Sequence, residues 1–169
     1  ARDRRRQNID FGGVVGTSMS NLGLEQALDS LDIPFVRSAV GDRYVMRELL
    51  KRGWRLGGES SGHIICLDKT TTGDGIVSAL QALSAISSSQ SSLAELISKL
   101  NKYPQSMINV RIADSADIAG SDTIQKAVAD VESMLGSKGR VLLRPSGTEP
   151  VVRVMVEGEH ATEVLNLAE

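Results

Sequence analysis

Val141-Leu142-Leu143-Arg144-Pro145-Ser146-Gly147-Thr148-Glu149-Pro150-Val151-Val152-Arg153-Val154-Met155-Val156-Glu157 decides how the C-terminal part of the chain is read. Val141 to Leu143 is an apolar strand pattern. Val152, Val154 and Val156 then alternate with Arg153, Met155 and Glu157, the period of two that marks a strand with two unlike faces. Between the strands lies a polar loop with two prolines and a glycine, the composition of a hairpin turn. The loop also suits a phosphate. Arg144 can donate two parallel charge-assisted bonds. Ser146 and Thr148 carry hydroxyl donors. Gly147 allows a positive φ that brings backbone N–H groups close to an anion. Turn and phosphate seat both fit these residues.

Upstream, Ile108, Val110 and Ile112 alternate with Asn109 and Arg111, a further half-exposed strand. Ile124, Ala127, Val128, Val131, Met134 and Leu135 form a helical stripe that Gly136 ends. Residues 161–169 read as a helix that has barely started. The order β-α-β-β predicts a small two-layer α+β domain over 106–169, an antiparallel sheet with helices on one face. Asn101 to Gln105 is polar, contains Pro104, and is read as a linker.

Residues 1–100 alternate strand and helix, which predicts an α/β domain with a mixed sheet. Strand patterns cover Gly13 to Met19, Ile33 to Val40, Trp54 to Leu56 and His63 to Leu67. Leu24, Ala27, Leu28 and Leu31 recur at helical spacing. Asp42 is expected to cap a helix carrying Val45, Met46, Leu49 and Leu50 that Gly53 stops. Ile76, Val77, Leu80, Leu83 and Ile86 share one face of a helix starting near Asp74, and Leu93, Leu96, Ile97 and Leu100 form another stripe.

Composition narrows the classes. The 169 residues are 41% hydrophobic, sufficient for a packed core, but only 3% aromatic, which leaves few platforms for stacking bases. Net charge is −2, so no global field draws nucleic acid or an anionic membrane. The run Arg2 to Arg6 is read as a solvated terminus rather than a binding arm. Cys66 is the only cysteine and is expected as a small core thiol. No apolar run approaches the roughly 20 residues of a membrane span, and no signal-peptide pattern opens the chain, so a cytoplasmic protein is expected. The absence of an initial Met and the abbreviated last helix suggest a piece of a longer polypeptide.

A second polar turn, Gly58-Glu59-Ser60-Ser61-Gly62-His63, offers a carboxylate, two hydroxyls and an imidazole between glycines. A carboxylate that accepts two O–H bonds suits vicinal sugar hydroxyls, and the imidazole can move a proton near neutral pH. A solvated tight turn is the plain alternative. In Thr70-Thr71-Thr72-Gly73-Asp74-Gly75, Asp74 reads as a helix cap. Arg43, after Gly41 and Asp42, could reach an anionic ligand. The residues show no metal-ligand spacing.

In order along the chain, Met19 to Glu25, Gly41 to Val45, Gly58 to His63, Asp68 to Gly75 and Arg144 to Pro150 resemble the bacterial phosphoglucosamine mutases of the α-D-phosphohexomutase superfamily. The resemblance covers nearly the whole chain. It implies the third of four domains and most of the fourth, with domains one and two missing. It implies that Glu59, Ser60, Ser61, Gly62 and His63, with Arg43, contact the sugar. It also implies that Arg144, Ser146, Gly147 and Thr148 anchor phosphate, and that His63 assists proton transfer. The phosphoserine and the Mg²⁺-binding aspartates would lie outside this chain, and no DxDxD spacing occurs in it. The implied reaction interconverts glucosamine 6-phosphate and glucosamine 1-phosphate through a 1,6-bisphosphate, on the way to UDP-N-acetylglucosamine and cell-wall precursors. The chain alone would be inactive; its partners would be a phosphosugar and the missing domains, not nucleic acid or membrane. Sister phosphomannomutases/phosphoglucomutases carry a loop resembling Gly-Glu-Met-Ser-Gly-His, with Met where this chain has Ser60. They remain an alternative, as does a non-catalytic phosphate-binding module.

Overall fold

The computed structural model describes residues 1–98, 100–112, 118, 120–146 and 149–169. The chain divides into two compact units, Ala1–Lys102 and Tyr103–Glu169.

In unit 1, α1 (Arg2–Arg6) precedes β1 (Val14–Thr17), α2 (Leu22–Asp29), β2 (Phe35–Ser38), α3 (Asp42–Arg52), β3 (Leu56–Gly58), β4 (Ile64–Cys66), α4 (Gly75–Ser89) and α5 (Leu93–Ile97). The sheet order is β2-β1-β3-β4. The first three strands run parallel, and β4 returns antiparallel beside β3. Adjacent residues of β1 serve opposite faces. Val14 joins Phe11, Leu28 and Ile33 under α2, while Val15 joins Val45, Leu49 and Ile65 under α3. Val15, Val45 and Leu49 are completely buried, and each such side chain contributes about 1.5–3 kcal/mol. Gly53, in the left-handed region, ends α3 as expected.

Several expectations are corrected. The cap of α3 is Gly41, at φ 128°, and Asp42 is the first helical residue. Trp54 lies before β3 and packs under α3 instead of joining the sheet. The basic run is not a solvated tail, because it forms α1 and buries Arg4. Arg4 pairs with Asp68 at 2.8 Å and donates to Gln81 on α4. Burial pushes the Asp68 carboxyl up, yet the Arg4 guanidinium, helped by Lys69, outweighs it and holds the pKa below the ordinary carboxylate value. The stripe on α4 has the expected period but faces outward: Ile76, Leu80 and Leu83 are exposed. Cys66 is buried, and burial raises its thiol pKa, consistent with an inert core residue.

Unit 2 comprises β5 (Gln105–Arg111), α6 (Asp122–Leu135), a short 3₁₀ turn, β6 (Gly139–Pro145), β7 (Val151–Gly158) and α7 (Ala161–Ala168). The sheet is wholly antiparallel, in the order β5-β7-β6. Ile108, Val141 and Val156 share the face that meets Val131 and Leu135 of α6 and Val164, Leu167 and Ala168 of α7. The other face carries Arg140, Leu142 and Arg144 beside Glu157, Met155 and Arg153. Glu157 is completely buried there. It accepts from Arg140 Nε at 2.6 Å and from Gln105 Nε2 at 3.0 Å, so the buried carboxylate is paired at both oxygens. Among the described residues no helix is long and apolar enough to cross a membrane.

Candidate functional site

The candidate in unit 1 is the tip of the β3–β4 hairpin. Beyond the last ladder pair, Gly58 with Ile64, the Glu59 N–H donates to the His63 carbonyl at 3.0 Å. The Gly62 N–H donates to the Glu59 carbonyl at 3.1 Å, closing a tight loop. Gly62 sits at φ 92°, and a Cβ there would meet nothing within 4 Å. Backbone conformation, not crowding, therefore calls for glycine.

The Glu59 side chain is held from two directions. Its Oε1 accepts the Gly41 N–H at 2.6 Å, and its Oε2 accepts the Ser61 hydroxyl at 3.4 Å. The first bond fastens the loop to the start of α3, where the orphan N–H groups of the helix favour a carboxylate. Asp42 accepts the Arg43 N–H through Oδ1 at 2.7 Å, and its Oδ2 lies 3.9 Å from His63 Nε2. That separation is an ion pair only when the imidazole is protonated, and Nε2 is buried without a hydrogen-bond partner. Arg43 donates to the Tyr44 hydroxyl at 2.9 Å and stacks 4.7 Å from the centre of its ring. Ser60, Ser61 and Gly62 are exposed at the apex. Glu59, His63, Asp42 and Gly41 are thus brought together, while the Arg43 guanidinium is held by Tyr44 beside them. Asp74 does cap α4, accepting the Val77 N–H at 2.9 Å.

The candidate in unit 2 is the β6–β7 hairpin. Arg144 lies near the end of β6, and the Ser146 N–H donates to the Val151 carbonyl at 2.9 Å. Gly147 and Thr148, expected in the phosphate seat, lie outside the described residues. The register pairs Arg144 with Arg153. Residues directly opposite share a face with Cβ atoms about 4.5–5.5 Å apart, so two arginine side chains leave the sheet as neighbours on one face. Like charges so placed are destabilising unless an anion lies between them. Among the described residues, the Nε atoms of both arginines are buried without a hydrogen-bond partner. Glu149 approaches Arg153 only to 3.7 Å. Arg153 was not expected in this site. The signal was present, because counting outward from the loop along both strands pairs it with Arg144.

Two family profiles match the chain. "Phosphoglucomutase/phosphomannomutase, alpha/beta/alpha domain III" matches residues 1–103, and "Phosphoglucomutase/phosphomannomutase, C-terminal domain" matches residues 107–169. The phosphoglucosamine mutase of Aeromonas hydrophila is 57% identical over the whole chain, and that of Nitrosococcus oceani is 59% identical. The chain spans 38% of the length of each. Among solved structures, the N-acetylphosphoglucosamine mutase of Aspergillus fumigatus matches 99% of this chain and 39% of its own, with a TM-score of 0.81 at 20% identity. A complex of that enzyme with GlcNAc-6P and magnesium matches 92% of this chain and 40% of its own, with a TM-score of 0.76 at 20% identity. At that identity the likeness concerns the fold.

Proposed function

We propose, from the premise that the chain belongs to the phosphoglucomutase/phosphomannomutase family, that it is the sugar-reading and phosphate-gripping part of a phosphoglucosamine mutase. The complete enzyme would interconvert glucosamine 6-phosphate and glucosamine 1-phosphate through a 1,6-bisphosphate. The observation that carries this reading is the arginine pair. Arg144 and Arg153, opposite each other with both Nε atoms unpaired, form a seat whose repulsion a phosphate dianion would relieve. Ser146, and by the family motif Gly147 and Thr148, would complete it.

Each site has its own task. The phosphate seat grips the phosphoryl group that is not reacting, and this remote grip orients the other end of the sugar. Glu59, already held by the Gly41 N–H, accepts sugar hydroxyls. Ser60 and Ser61 add donors, Arg43 stands ready for an anionic group, and His63 takes or returns a hydroxyl proton. The sugar must react in two orientations, so a carboxylate that accepts hydroxyls from several directions suits the task better than a shape-tight apolar pocket.

Among the described residues, no group of three or more His, Cys, Asp or Glu is assembled to hold a metal ion. No step here runs through magnesium. In this reading the metal and the phosphoserine belong to the first two domains, outside the chain, and the 169 residues alone turn nothing over.

The test is a titration of the 169-residue chain with glucosamine 6-phosphate, followed by side-chain and amide NMR. Arg144, Arg153 and Glu59 signals should respond together. Arg144→Ala should weaken binding about tenfold to a hundredfold, the worth of a charge-assisted hydrogen bond or two. Unchanged affinity would remove the anchor. Parallel titrations with glucose 6-phosphate, mannose 6-phosphate and inorganic phosphate separate the sister mutases and a simple phosphate-binding module from the proposed specificity.

A further inference from the structure

Gly73 belongs to the threonine-rich stretch before α4. Its backbone is not in the left-handed region where glycine is favoured. An L-residue could adopt its conformation, so the reason for a glycine must lie in its surroundings. A Cβ built on Gly73 would overlap His63 Nε2 and Cδ2 and lie 3.0 Å from Cε1. Its three nearest neighbours are all atoms of that one imidazole. A bridge between Gly73 and Ile65 fixes the stretch against β4, two residues beyond His63. The ring edge carrying Nε2 is therefore packed against bare backbone, with Asp42 Oδ2 3.9 Å from Nε2.

We propose that Gly73 is a positioning residue for His63. Its missing side chain is the space in which the imidazole lies, and this sets how the ring faces the sugar loop. Any side chain at position 73 would drive the ring out of its seat. Gly75, in the same turn, is the internal contrast, because a Cβ there would meet nothing within 4 Å. The seat of the ring follows from the packing around Gly73, and its consequence for substrate rests on the role proposed for His63.

The decisive experiment is a double-mutant cycle in the 169-residue chain, with Gly73→Ala and His63→Ala made singly and together and Gly75→Ala as the control. Thermal midpoints are read together with the ring signals of His63 in ¹H–¹³C spectra. Gly73→Ala is expected to shift the His63 ring signals and lower the midpoint, while Gly75→Ala leaves the ring signals in place. In the His63→Ala background, Gly73→Ala should cost little or nothing, because the ring it displaces is gone. Glucosamine 6-phosphate affinity should fall with Gly73→Ala as far as with His63→Ala, about tenfold for one lost hydrogen bond to a charged or polar ligand group, and no further in the double variant. Equal destabilisation in both backgrounds, or ring signals that ignore Gly73→Ala, overturns the assignment. Should Gly73→Ala fail to fold, the double variant decides: recovery of folding supports the proposal, and a second failure refutes it. A cycle that succeeds while ligand affinity never changes would leave Gly73 packing the ring and remove His63 from the sugar site.

Discussion

The two hairpins that carry the candidate sites solve opposite problems. At the β3–β4 tip, the charged group is an acceptor already supplied with donors, since Glu59 receives the Gly41 N–H and the Ser61 hydroxyl. At the β6–β7 hairpin, the charged groups are donors set against each other, Arg144 facing Arg153 with both Nε atoms unpaired. The first is supplied with donors by its own fold, one of them a hydroxyl. The second sets like charges opposite each other, with Glu149 3.7 Å from Arg153 as the acidic neighbour. In the proposed reading, the loop whose carboxylate already accepts hydroxyl and amide donors suits neutral hydroxyls, and the loop with facing like charges suits an anion.

The sharpest way to break the contrast is Arg153→Glu. It would place a carboxylate opposite Arg144 and supply internally what a phosphate would bring. Phosphosugar binding should fall more than a hundredfold, over about 3 kcal/mol, in calorimetry. Unit 2 should melt no lower than before, because a facing like-charge pair becomes an opposite one, worth about 0.2–1 kcal/mol. Retained binding would mean that the conflict between the arginines is not what holds the ligand.

Next in size is Asp68→Asn. Asp68 lies just beyond β4, at the root of the β3–β4 hairpin, and its partner Arg4 is almost fully buried. Leaving that guanidinium with a neutral amide should cost about 1.5–3 kcal/mol in denaturant unfolding. The same pair sets an acid response. The folded pKa of Asp68 is lowered, so the stabilisation is complete above the unfolded carboxylate value and is lost as pH falls through the folded one. In Asp68→Asn, that part of the acid dependence should vanish.

Glu59→Gln is smaller. It keeps an acceptor for the Gly41 N–H but removes the charge, and unit 1 should lose about 1 kcal/mol in a thermal melt. Smallest is Gly62→Ala, where only the positive φ is at issue, with an expected cost of about 1 kcal/mol or less. A larger loss at Gly62 than at Glu59 would show that loop geometry, not the carboxylate, holds the β3–β4 tip.

Much of this was legible in the sequence, and the failures share a cause. Period-two valines gave β7 its two faces, and Gly53 and Asp74 performed the helix-ending and helix-capping roles their chemistry predicted. The period of Ile76, Leu80 and Leu83 identified a helix face but could not say what covers it, and that face is open. Arg2 to Arg6 looked like a solvated run because the partner of Arg4 is Asp68, 64 residues away. Arg153 was open to counting outward from the loop, which brings it opposite Arg144. Local chemistry can be read from local sequence; pairings between distant stretches wait on the fold.

β7 lies between β5 and β6 and is hydrogen-bonded along both edges. Arg153 therefore rides on a strand whose amides are tied to one neighbour or the other along its length. Deuterium should enter its backbone among the last in unit 2. A variant that loosens the small C-terminal sheet, wherever the change is made, will slacken the guanidinium before any ligand is added.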